Sequence, residues 1–118
     1  MKLNFPAVSE EDKFDLIMKI LSFIPPFNKL RRREKQVLTG LYYANYKYKD
    51  IPENKRKILI FDYDTRQEIA IKYNMSINSV YVCMMNLRKA GVITETSLIK
   101  KYVFDGTDEI IFNIPTIQ

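Results

Sequence analysis

The sequence predicts a mainly α domain that carries a small antiparallel β-hairpin near its end and is preceded by one or two N-terminal helices. Three observations lead there. Apolar residues recur at helical spacing in separate stretches, helix-capping residues punctuate residues 65–93, and two apolar runs flank an Asp-Gly pair at 105–106. At 118 residues, 47% of them apolar, the chain fits one domain with a hydrophobic core. The expected division is an N-terminal arm and apolar helix over 1–30, followed by the main domain over 31–118.

Residues 1–8 read as an extended arm, with Leu3, Phe5 and Val8 free to dock. Ser9 followed by Glu10, Glu11 and Asp12 is a helix start, a serine cap with acids in the first turn. That helix runs to about Ile24 and stops at Pro25-Pro26. Its apolar residues leave a narrower polar face than a one-sided amphipathic helix needs. Either it is buried on more than one side or it lies against a partner subunit, and Phe14, Ile17, Leu21 and Ile24 are the candidate partner contacts. Eight of the eleven residues 14–24 are apolar, but the stretch is interrupted by Asp15, Lys19 and Ser22. It is far shorter than the roughly 20 residues a bilayer span needs. No membrane partner is expected, and the N-terminus lacks signal-peptide architecture, so a cytoplasmic location is expected.

A second helix is expected from Arg31 to about Tyr48, with Leu30, Val37, Leu38, Leu41 and Tyr42 on one face and Gly40 as a tolerated weak point. Tyr42, Tyr43, Tyr46 and Tyr48, among lysines, either pack on the core or stack on bases. Ile51-Pro52 breaks the chain, and pattern alone does not separate strand from helical turn over 57–61. Thr65 to Glu68 reads as a capping box, with Ile69, Ala70 and Tyr73 facing inward after it. Asn74 falls where a left-handed turn residue is needed, and Ser76 caps a helix whose Ile77, Val80, Met84 and Leu87 form one stripe beside Cys83. Gly91 fits a helix C-terminus at positive φ. Residues 98–104 and 109–114 around Asp105-Gly106 then read as a hairpin.

Charge is uneven. The net charge is +5 and the pI near 9.3, yet residues 29–60 carry +7 while 1–28 and 61–118 carry −1 each. Such a basic patch attracts phosphates or an acidic protein surface. The chain has no histidine and one cysteine, Cys83. That removes most general-base and zinc chemistry and any internal disulfide framework. No metal site, phosphate loop or nucleophile–base pair is recognisable, so neither enzymatic activity nor a cofactor is expected. Cys83 reads as a small packing residue, a redox switch being the minority alternative.

The run Ile69-Ala70, Tyr73-Asn74-Met75-Ser76, Val80, Cys83-Met84, Leu87 and Gly91-Val92-Ile93 resembles the helix-turn-helix of winged-helix DNA-binding proteins. Asn74 stands where the family often has glycine. The resemblance covers about residues 61–114, and Arg33-Glu34 with Val37-Leu38 is a short echo of the family's first helix. It implies that the hairpin is the wing, that a short strand over 57–61 pairs with it, and that the helix over 77–90 enters a DNA major groove. Base-facing candidates are then Asn78, Ser79, Tyr81, Val82 and Met85. Phosphate candidates are Ser76, Arg88, Lys89, Lys100 and Lys101, joined by Arg31, Arg32, Arg33, Lys55, Arg56 and Lys57 from the basic segment.

Two functions fit. The first is a non-enzymatic regulator or replication accessory that binds duplex DNA as a homodimer or larger homo-oligomer. The second is a phage virion assembly protein, a head–tail connector or capsid-associated component, that turns the same fold to contacts with other virion proteins. The apolar Val82 and Met85 and the over-apolar first helix favour the second. Asn-, Lys- and Ile-rich usage with little glycine or alanine has the look of an A+T-rich phage or low-GC bacterial gene.

Overall fold

The computed structural model describes residues 2–4, 9–99, 102–103 and 109–111. The elements run β1 (Lys2–Asn4), α1 (Glu10–Leu21), a 3₁₀ turn (Phe27–Lys29), α2 (Arg32–Lys47), α3 (Glu53–Ile60), α4 (Tyr63–Lys72), α5 (Ile77–Lys89) and β2 (Glu109–Ile111). The mainly α expectation holds, and no helix among the described residues is long and apolar enough to cross a membrane.

The hairpin expectation does not hold. β2 pairs antiparallel with β1, Lys2 opposite Ile111 and Asn4 opposite Glu109, and Leu98 forms a lone bridge with Ile93. Thr94 and Tyr102 spend their backbone N–H groups on local turns, to the Ser97 and Ile99 carbonyls. The N-terminal arm therefore supplies the backbone partners that the wing's first strand was to supply. No wing is formed among the described residues, and the Asp105-Gly106 turn lies outside them. Nor is there a strand over 57–61; residues 57–60 are the second half of α3 and Phe61 is its C-cap.

The core is built on α2. Val37, Leu38, Leu41 and Tyr42 on its inner face meet Val80, Met84 and Leu87 of α5, Ile69 of α4 and Ile60 of α3, with Val92 and Ile93 behind them. Phe14 and Met18 of α1 belong to the same cluster, so the core crosses the boundary expected at residue 30. Phe14 meets the ring edge of Tyr43 at 5.7 Å and lies 5.6 Å from Tyr46. These tyrosines are packed within the chain and do not form a free stacking surface. Lys72 pairs with Glu11 and Asp15, fastening α1 to α4 as well.

Two local readings change. The N-cap of α4 is Asp62, whose carboxylate accepts the Thr65 N–H at 3.0 Å. Thr65 sits inside the first turn and donates its hydroxyl to the Leu59 carbonyl at 2.7 Å, so the expected Thr65–Glu68 capping box is not formed. An aspartate three residues earlier wins because Asp caps at least as well as Thr. Gly40 marks a close approach: a Cβ there would stand 2.5 Å from Ile69 Cγ1, so its glycine lets α2 and α4 cross.

Candidate nucleic-acid interface

The turn between α4 and α5 is set by two residues. Asn74 has φ 51°, and Ser76 accepts the Ser79 N–H at 3.1 Å as the N-cap of α5. A non-glycine residue in the left-handed region is tolerated best when it is Asn or Asp. Met75 N–H returns to the Ala70 carbonyl at 2.9 Å, closing α4 onto the turn. At the far end Gly91, φ 79°, ends α5.

With Val80, Cys83, Met84 and Leu87 buried, α5 turns Asn78, Ser79, Tyr81, Val82 and Met85 outward. All five base-facing candidates are exposed, Val82 by 54% and Met85 by 48%. Tyr81 is not loose: the Arg66 guanidinium of α4 lies 4.8 Å from its ring centroid. This contact was missed in sequence, because nothing in the spacing of 66 and 81 announces it.

Beside this surface runs a groove of about 730 Å³. One wall is the N-terminal end of α2, with Arg31, Arg32 and Arg33; the other is the turn and the outer side of α5, with Ser76, Asn78, Ser79 and Val82. Three hydrogen bonds fix the walls. Arg33 donates to the Tyr73 carbonyl at 2.7 Å, gripping the C-terminal end of α4. Glu34, only 8% exposed, accepts the Arg31 N–H at 3.0 Å with one oxygen and the Asn86 side-chain amide at 3.1 Å with the other. All three arginines are exposed, but Arg33 is thus partly engaged, which leaves Arg31 and Arg32 as the freer cations of the groove. Sequence reading found these arginines but missed Glu34, whose place in the first turn of α2 was the available signal.

Electrostatics favour an anion here. Residues 69–94 contain no carboxylate. Of the two acids that flank this stretch, Glu68 pairs with Lys47 at 3.3 Å and Glu95 lies exposed beyond Ile93. Cys83 lines the groove but is buried; burial, then the Glu34 carboxylate, pushes its thiol up, so it stays protonated and unreactive.

The remaining phosphate candidates divide. Lys89 is exposed and Arg88 half-buried at the end of α5. Lys100 and Lys101 lie outside the described residues. Lys55 and Lys57 are exposed on α3, while Arg56 is drawn inward, donating to the Ile51 carbonyl at 3.1 Å and the Asn45 side chain at 3.3 Å. Asn45 stands twelve residues beyond Arg33 on α2, or about 18 Å along the axis. Arg56 and Lys57 border a separate cleft with Ser97 and Leu98. The basic segment is therefore two clusters, and only that at 31–33 borders α5.

The candidate partner contacts on α1 also divide. Phe14 and Ile17 are fully buried in this chain, Leu21 is half-buried, and Ile24 is exposed together with Phe23. Packed against α2, α1 spends Phe14 and Ile17 inside this chain, and of the four candidates only Ile24 is exposed.

No protein-family model matches the chain, and no curated protein or solved structure is significantly similar to it.

Proposed function

We propose that this chain is a non-enzymatic duplex-DNA-binding protein of helix-turn-helix type, acting in the cytoplasm as a regulator or replication accessory. The observation that carries this reading is the groove: two exposed arginines stand across from the outward, acid-free side of a capped helix. A helix in this setting presents its N-terminal residues to base edges while flanking cations hold phosphates. Asn78 has the two-sided amide that matches adenine, and Ser79 and Tyr81 supply hydroxyls beside it. Arg31 and Arg32, with Lys89, neutralise the backbone. Two copies reading two half-sites would meet through Phe23 and Ile24 beyond α1, the apolar residues the chain leaves uncovered there.

A fluorescence-anisotropy titration of mixed-sequence duplex at low salt tests this. Binding that weakens steeply as salt rises is expected; no binding at low salt overturns it.

One observation favours a second reading, in which the same face docks a protein in a virion assembly: Val82 and Met85 are apolar and about half exposed. That reading expects no duplex binding and a large homogeneous particle by native mass measurement.

A further inference from the structure

A second cleft of about 380 Å³ lies between α1 and α2, within the roughly 300–1,000 Å³ of small-molecule sites. Its α2 wall is one helical face, Arg32, Lys35, Gln36 and Thr39, and its α1 wall includes Lys19 and Ser22. Three cations thus converge on one concavity. Lys19 and Arg32 have no ion-pair partner among the described residues. Lys35 Nζ lies 3.3 Å from Ser22 Oγ across the cleft, which leaves its other N–H groups for a ligand. The one carboxylate of the lining, Asp15, is already engaged: it accepts the Tyr73 hydroxyl at 2.6 Å and pairs with Lys72 at 3.0 Å. Burial, then that bond to Asp15, raises the tyrosine's pKa, so the phenol stays neutral and the bond intact.

We propose that this cleft binds a small phosphate-bearing molecule, and that the bound ligand competes with duplex DNA for Arg32. One guanidinium satisfies a lone carboxylate, whereas a guanidinium with two ammonium groups matches the charge and the several acceptor oxygens of a phosphate. The Thr39 and Ser22 hydroxyls donate to the Lys35 and Met18 carbonyls, so the Gln36 amide is the neutral donor of the wall for the remainder of a polar ligand. Arg32 lines both this cleft and the groove beside α5. A phosphate held on one side draws it from the other, so ligand and duplex antagonise each other by the same factor. The competition rests on the duplex-binding reading; the site itself does not.

Calorimetric titration of the full chain with pyrophosphate and with adenosine 5′-monophosphate tests the site. One saturable site is expected for at least one probe, weakened tenfold or more in the Lys19→Ala/Lys35→Ala variant and unchanged in Lys55→Ala/Lys57→Ala. Absence of saturation, or an equal loss in both variants, overturns the site. Circular dichroism melts of both variants verify that they are folded. Saturating probe is then expected to weaken duplex binding severalfold in the wild type and not in Lys19→Ala/Lys35→Ala. An unchanged duplex affinity overturns the competition. A protein that binds probe but no duplex under any condition refutes the proposed function and the competition together, and upholds the site.

Discussion

The chain carries two short basic clusters of three residues each, Arg31 to Arg33 and Lys55 to Lys57. By charge alone they are equivalent, and by position they are not. The first opens α2, and its Arg33 holds the end of α4 while neighbouring Glu34 holds α5. The second lies on α3, against the far end of α2, and its central Arg56 is spent on the Ile51 carbonyl and Asn45. Net charge states that a segment attracts phosphate. Only the helix packing states which cations stand beside the outward face of α5.

Substitutions can break or sharpen this contrast. The largest effect is expected from Leu87→Ala, since Leu87 is fully buried where α5 meets the core. A loss of about 2–5 kcal/mol is expected by chemical denaturation. Hydrogen exchange should then quicken more over 77–89 than over 53–60; an even increase would mean the two regions are not held separately. Glu34→Gln comes next. Its carboxylate accepts from both the Arg31 N–H and Asn86, and an amide offers one acceptor oxygen and one donor in their place. A cost of about 1–3 kcal/mol follows from the mismatched buried group, and duplex affinity should fall with it. Asn78→Ala is expected to relax base preference at one position by about 1–3 kcal/mol while leaving the salt dependence unchanged. Its counterpart beside the other cluster, Asn54→Ala, should change neither.

Much of the α4–α5 unit was legible in the sequence because its signals are local. Asn74 at positive φ, Ser76 as N-cap, Gly91 as terminator and the Val80, Met84, Leu87 stripe each follow from residue chemistry within a few positions. The outward set on α5 followed from the same stripe. What was illegible is long-range. The pairing of 109–111 with 2–4 joins opposite ends of the chain, whereas a strand–turn–strand pattern argues only for neighbours. The burial of Phe14 depends on Tyr43 and Tyr46 of α2 arriving against it, which the periodicity of α1 does not encode. Gly40 looked like a defect in a helix until Ile69 came to lie against it. Asp62 outcompeted Thr65 for the cap because both are good caps and the helix began at the earlier one.

The central claim is that the cations at 31–33, not those at 55–57, hold nucleic acid. The direct test is a salt series of duplex titrations on Arg31→Ala/Arg32→Ala and on Lys55→Ala/Lys57→Ala. Each lost phosphate contact lowers the slope of log affinity against log salt by about 0.9. The arginine pair is expected to flatten it by about 1.8, by the same counterion-release rule, and to weaken binding at least tenfold. The lysine pair is expected to leave both unchanged. Equal flattening by the two variants, or flattening by the lysine pair alone, would contradict the account.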